Sequence, residues 1–319
     1  MKVKTSGDIA KSMENGKFSI FDAIGNTPLV ELKNLNGNSK VKILGKLEGS
    51  NPGGSVKDRP AYYMIIKAEE SGKLTKDKTI VEPTSGNMGI ALAMIGAAKG
   101  YHVKLFMPEC VSTERQRTLA ALGAEVMLTP AEESTDGAIT RARQLVGEDN
   151  EKYYMPNQFD NEANVMAHYE TTGPEILSQT NGEVDIFVAG LGTAGTLMGT
   201  GKYLKEKKPG VKIVAVEPTV GHTIQGLKNM KESIVPKIYH PELFDEKVVV
   251  EDEEAFETTR LLAVKEGLFV GMSSGAATAG ALHLAKNMNS GTIVVILPDR
   301  GDRYLSTTLF RSFCAKCPP

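Results

Sequence analysis

The chain has 319 residues, 41% hydrophobic and 24% charged, with 37 Lys plus Arg against 39 Asp plus Glu for a formal charge of -2. This is the composition of a globular protein with enough chain for one large domain or two smaller ones. A balance so near zero, with no basic block, argues against nucleic acid as a partner, because phosphate binding needs a clustered positive field.

The first residues, MKVKTSGDIAKSMENGKF, contain no apolar signal stretch. No apolar run approaches the roughly 20 residues of a membrane span, so a cytoplasmic location without a membrane partner is expected. Short β-branched runs then alternate with helical patterns. Strands are predicted at 41–44, 79–82, 103–107, 125–128, 186–189, 212–216, 247–250 and 292–297. Helices are predicted near 57–70, 87–99, 112–121, 134–147, 162–179, 195–206, 252–265 and 275–287. That order predicts an α/β fold of mostly parallel sheets covered by helices on both faces. The continuous apolar run 292–297 reads as a strand buried on both sides. The polar, turn-rich stretch 148–161 is the expected crossing between a domain of residues 1–160 and one of 161–319. The first 45 residues or so are free to pack on the second of these.

Residues 51–59 read Asn-Pro-Gly-Gly-Ser-Val-Lys-Asp-Arg. The Pro-Gly-Gly unit forces a turn and a helix pattern follows at once, which puts Lys57 at a helix mouth. The partial positive charge there disfavours an ammonium, and desolvation lowers its pKa further. Such an amine suits attack on an aldehyde to form a Schiff base. The plainer alternative is a surface lysine after a glycine loop.

Two glycine-rich loops each follow a strand and open a helix. Pro83-Thr84-Ser85-Gly86-Asn87-Met88-Gly89 offers backbone N–H groups, two hydroxyls and an amide, enough to cradle a carboxylate. Thr84 or Ser85 acting as a simple helix cap is the alternative. Gly190-Leu191-Gly192-Thr193-Ala194-Gly195-Thr196 repeats the arrangement and suits a phosphate. It lacks the P-loop pattern. Its G-x-G-x-x-G spacing leaves a dinucleotide open, with Glu217 as the acidic ribose partner. A third junction, Gly271 to Ala277, offers Ser273 either as a helix cap or as a neutral partner for a heteroaromatic nitrogen. His168, inside a helical pattern, reads as packing or a surface contact. Cys314 and Cys317 form a CxxC at the chain's end, the five histidines show no ligand spacing with it, and no metal site is expected.

Together these segments resemble the cysteine synthase and cystathionine β-synthase family, O-acetylserine sulfhydrylase-like enzymes of fold type II that use pyridoxal 5′-phosphate (PLP). The resemblance runs from Ile24-Gly25-Asn26-Thr27-Pro28-Leu29 to Arg303-Tyr304-Leu305-Ser306-Thr307. It implies a two-domain α/β fold of the tryptophan synthase β type. It implies PLP joined to Lys57, its 3′ oxygen bonded by Asn87, its phosphate held by Gly192, Thr193, Ala194, Gly195 and Thr196, and its pyridine nitrogen facing Ser273. Thr84, Ser85, Met88 and Gln158 are implied at the substrate carboxylate. The implied reaction is β-replacement on O-acetyl-L-serine, with Lys57 as general base and sulfide adding to give L-cysteine and acetate. An O-phosphoserine sulfhydrylase, a cystathionine β-synthase-like thiol transfer to serine or cysteine, and a serine/threonine dehydratase are the alternatives. A homodimer is implied, and serine acetyltransferase is a candidate partner.

This sequence departs from the family pattern at three points. Met88 replaces the second threonine of TSGNTG, removing a hydroxyl but not the backbone N–H. Ala194 replaces the central glycine of GTGGT, which is tolerated if φ stays negative. Lys228, in Gln225-Gly226-Leu227-Lys228-Asn229-Met230, stands where an anionic leaving group could be met, or is a structural lysine.

Overall fold

The apolar run at the end of the chain does lie at the centre of a sheet. In this computed structural model, which describes residues 19–84 and 86–310, the strand Gly291–Leu297 is buried from Thr292 onward. In chain order the strands are β1 (Leu29–Glu31), β2 (Val41–Leu47), β3 (Thr79–Pro83), β4 (Val103–Pro108), β5 (Glu125–Thr129), β6 (Tyr153–Tyr154), β7 (Ile186–Gly190), β8 (Lys212–Pro218), β9 (Glu246–Val250) and β10 (Gly291–Leu297). They form a six-stranded sheet, β1-β2-β10-β7-β8-β9, and a four-stranded sheet, β5-β4-β3-β6. All pairings are parallel except β1 with β2. In register, Ile293 lies opposite both Ile43 and Ile186. The early strands β1 and β2 therefore join the sheet made by the second half of the chain.

Alternation along the strands divides the large sheet's apolar residues between two cores. Ile43, Val188, Val214 and Val295 pack against the helices Asp252–Glu266 and Met272–Lys286. Phe187, Ala189, Ile213 and Val294 pack against the helix Gly195–Lys207. In the small sheet, Ile80 and Leu105 meet the helices Asp58–Glu70 and Asn87–Lys99, while Val81 and Phe106 meet Ser134–Glu148. Each fully buried aliphatic or aromatic side chain contributes about 1.5–3 kcal/mol by leaving water.

The two halves are tied by a buried ionic seam. Arg59, on the helix Asp58–Glu70, donates to both oxygens of Glu48 (2.7 and 2.8 Å) and both of Glu175 (2.6 and 2.8 Å). Lys46 of β2 donates to Glu175 at 2.7 Å, to Gln179 at 2.8 Å and to the Thr27 carbonyl at 2.7 Å. Burial pushes the Glu175 carboxyl up, but Arg59 and Lys46 outweigh it and hold the group down at about 2.

Two helices and two short strands differ from the sequence expectation. The helix predicted over 162–179 is broken into Glu162–Ala167, a π turn at His168–Thr172, and Gly173–Gln179. Pro174 has no N–H to give the carbonyl four residues back, which favours the wider turn there. The helix predicted from 275 begins at Met272, because the Gly271 carbonyl accepts from the Ser274 and Gly275 N–H groups. Its N-terminus is not preceded by a strand; Val270 makes only an isolated bridge to Arg300. The remaining strands, β1 and β6, were too short to show a pattern in the sequence.

Candidate active site

The carboxyl ends of β3 and β7, with the start of the helix Asp58–Glu70, surround a cleft that opens to solvent at its mouth. Ligands in open α/β sheets lodge at such ends. The lysine turn reaches it through Gly54, whose φ of +79° suits glycine and whose N–H bonds the Asn51 carbonyl at 2.7 Å. Val56 N–H donates to the Pro298 carbonyl at 2.8 Å, pinning the turn to the segment after β10. Lys57 caps the helix Asp58–Glu70 and lines the cleft. Its side chain keeps some accessible surface toward the cleft, with protein around it otherwise. Loss of water pushes the ammonium down to about 8, against the pull of Asp299, which acts the other way. Next to it, Asp58 accepts from Gly53 N–H at 2.5 Å and supports the turn.

The loop after β3 is braced from two sides. The buried Thr84 hydroxyl accepts from Gly86 N–H (3.0 Å) and Gly89 N–H (3.2 Å), so it does cap the turn. Its own proton stays available to a ligand, so the cap and the binding role are compatible. Asn87 donates to Asp299 at 2.6 Å and accepts from Arg303 at 2.5 Å, which leaves its second N–H for the cleft. Asp299 also accepts from the Tyr304 hydroxyl at 2.6 Å, and its other oxygen is buried without a hydrogen-bond partner. Met88 is buried and lines the cleft. Ser85 lies outside the described residues, as do Cys314 and Cys317.

The loop after β7 presents Gly192, Thr193, Ala194 and Thr196 to the cleft at the N-terminus of Gly195–Lys207, where free N–H groups favour an anion. Gly195 lies behind them, against Asn164, where a Cβ would come within 2.1 Å of the amide oxygen. Ala194 does not keep the negative φ that the sequence argument required. It stands at φ +72°, ψ −14°, in the left-handed region, so its methyl costs about 1–2 kcal/mol relative to glycine. The methyl is buried.

His168 is neither simple packing nor a surface contact. It is fully buried, with Nδ1 2.9 Å from the Thr172 hydroxyl and Nε2 3.2 Å from the Thr196 hydroxyl. Burial, with the Arg59 and Lys57 charges adding to it, holds its pKa well below the usual histidine range, so the ring is neutral. The π turn is what places it behind the loop.

Ser273 sits in the first turn of Met272–Lys286 and lines the cleft, as do Gln158 and Lys228. Lys228 lies 3.6 Å from Asp136 and 5.3 Å from the Phe159 ring centre. Arg115, which sequence reasoning missed, also lines the cleft. It is 2% exposed, lies 4.7 Å from the Tyr304 ring centre, donates to Gln225 and packs on Gly86. The lining includes Lys57, Arg115 and Lys228 but no carboxylate. Glu217 is buried and engaged by Lys247 (2.7 Å) and by Met230 N–H (3.0 Å), so it does not serve as a ribose partner. Among the described residues there is no metal-binding group of three or more His, Cys, Asp or Glu, and no helix long and apolar enough to cross a membrane.

The family model for pyridoxal-phosphate dependent enzymes matches residues 20–299. The chain is 45% identical over 292 residues to cysteine synthase B of Pseudomonas aeruginosa, covering 92% of this chain and 97% of that one. Its structure is similar to a cysteine synthase from Entamoeba histolytica, with a TM-score of 0.87, 40% identity and coverage of 92% and 91%. It is equally similar to an O-acetylserine dependent cystathionine β-synthase from Helicobacter pylori, with a TM-score of 0.87, 38% identity and coverage of 92% and 99%.

Proposed function

This chain belongs to the pyridoxal-phosphate dependent enzymes, among the fold type II cysteine synthases, and we propose that it makes L-cysteine from O-acetyl-L-serine and sulfide. β-Replacement on an amino acid is the chemistry that comes with the family. The observation that carries the reading is that Lys57, the Thr84–Met88 loop and the Gly192–Thr196 loop open on one cleft.

The donor set fits PLP. The Lys57 amine, with its lowered pKa, suits the aldehyde. N–H groups and hydroxyls of the Gly192–Thr196 loop would hold the phosphate, with Thr196 backed by His168. Ser273 would offer the ring nitrogen a neutral hydroxyl, and the spare Asn87 N–H would be available to the 3′ oxygen. When bound, the cofactor draws electrons from the substrate's α-carbon. The Thr84 hydroxyl, Ser85, the Met88 N–H and Gln158 hold the substrate carboxylate, which orients the α-proton toward Lys57. The Lys57 amine would take that proton, acetate would leave from the β-carbon, and sulfide would add there as the proton returns to the α-carbon, giving L-cysteine.

Borohydride reduction of the holoprotein followed by peptide mass analysis should find the cofactor on Lys57. An adduct elsewhere, or none, overturns the assignment. Formation of the β-substituted product, L-cysteine with sulfide and cystathionine with homocysteine, is then measured with acetylserine, phosphoserine, serine and cysteine against sulfide, thiosulfate and homocysteine. Best turnover with acetylserine and sulfide is expected. Release of a keto acid without added thiol would instead mean a dehydratase.

The cationic lining favours a second reading, O-phospho-L-serine as the amino-acid substrate. A large phosphoserine preference that disappears in Lys228→Ala would establish it, and unchanged rates in that variant would retire it. A cytoplasmic homodimer that binds serine acetyltransferase belongs to the main proposal. Light scattering of the protein alone and mixed with the acetyltransferase tests the assembly.

A further inference from the structure

We infer that Glu82 is the positioning residue that sets Gln158 at the substrate carboxylate, and that it does so only as the carboxylate anion. This rests on the placement of Gln158 proposed above. Glu82 is completely buried near the end of β3, two residues before Thr84. One of its oxygens accepts from Asn157 N–H at 2.8 Å and the other from Gln158 N–H at 2.9 Å. Asn157 is bent into the left-handed region, at φ +54°. Two donors on one carboxylate therefore hold a backbone corner that few residues adopt unaided. From that corner the Gln158 side-chain amide donates to the Pro83 carbonyl at 3.2 Å, and the Gln158 backbone carbonyl accepts from Asn164 at 2.8 Å. Asn164 also donates to Thr193 at 3.0 Å, which links the corner to the second anion loop.

The charge on Glu82 has no cationic counterpart among the described residues. Its neighbours are the Asn157 and Gln158 N–H groups and the Gln158 amide, with the Tyr154 phenol as the titratable side chain that senses it. The strand beside it contributes Leu105, and the face that Ile80, Glu82 and Leu105 share is packed by apolar side chains of the helices Asp58–Glu70 and Asn87–Lys99. Burial pushes the carboxyl up to about 7, while the two backbone donors pull it down. The ionised form accepts one N–H on each oxygen. Protonation turns one oxygen into a hydroxyl that faces a donor, and one of the two bonds is lost. Because the ionised form is the competent one, the clamp tightens as pH rises through about 7 and loosens below it.

The test compares Glu82→Gln with the unaltered holoprotein, using L-alanine as a ligand without a leaving group and L-alaninamide as one without a carboxylate. Binding is read from the cofactor's visible band. At about pH 8 the variant should bind L-alanine about tenfold or more weaker, the size of a lost hydrogen bond to a charged group, and the gap should close toward about pH 6. L-Alaninamide should bind both proteins alike at either pH. Equal L-alanine affinity at the higher pH, or equal losses for both ligands, would overturn the inference. If Glu82→Gln does not fold, the same limb near neutrality is sought for L-alanine in the unaltered protein and in Gln158→Ala. Its presence in the first and absence from the second supports the inference, and its persistence in the second overturns it. A band that responds to neither ligand would reject the placement of Gln158 itself, and this inference with it.

Discussion

The two anion loops share one local design, a strand that ends in a glycine-rich turn and opens a helix, yet they are braced in opposite ways. The loop after β3 is held by charged groups, with Asn87 between Asp299 and Arg303 from the far side of the cleft and Gly86 against Arg115 of its own half. The loop after β7 is held from behind by neutral groups, with Asn164 on Thr193 and His168 on Thr196. Charge changes should therefore damage the first loop, and shape changes the second. Under the proposed roles, the loop that would admit and release a substrate is tied to the opposite half, while the one that would keep a resident phosphate is built into its own.

The sharpest break in that comparison is Lys57→Ala, which removes the amine that both loops serve. Turnover should fall by about 10³-fold or more, read from steady-state cysteine formation, with the borohydride adduct lost. On the charged side, Arg303→Ala leaves Asn87 and the Gly53 carbonyl without their donor. It should cost about 1.5–3 kcal/mol in urea unfolding. On the neutral side, His168→Phe should weaken cofactor binding about tenfold in apoprotein reconstitution, since one hydrogen bond to Thr196 is lost. Because His168 stays neutral, cofactor affinity should owe no pH dependence to it between neutral and mildly alkaline pH.

Two smaller effects refine the contrast. In Asp299→Asn the charge that holds the Lys57 ammonium up is gone, so its pKa should drop below about 8. Labelling of apoprotein Lys57 by an amine-directed reagent should then reach half its maximal rate at a lower pH than in the unaltered protein. Ala194→Gly relieves the left-handed strain and should raise stability by about 1 kcal/mol, seen as a small increase in melting temperature, with cofactor affinity little changed.

Much of this was legible in the sequence because it is written in local terms. A strand such as 292–297 announces burial by its run of β-branched residues, and both loops announce themselves by glycine between a strand and a helix. The lysine turn was legible for the same reason. Other features depend on what packs behind. The left-handed Ala194 is imposed by its surroundings, and alanine gives no hint of it. His168 inside a helical pattern looks like any packed histidine until the π turn aims it at Thr196. Arg115 reads as one of several polar residues on a short helix, and only the fold brings it to Gly86 and Tyr304. The two-residue β6 is too short for any period to show.

The pairing of β2 with β10 sets the order in which this protein can be completed. The small sheet draws on residues 79–154 alone and can assemble while synthesis continues. β2 leaves the ribosome long before its parallel neighbour exists, and must wait about 250 residues for it. Until then its edge is open to strangers, so β10, the last strand among the described residues, is also the one that ends the nascent chain's exposure to aggregation.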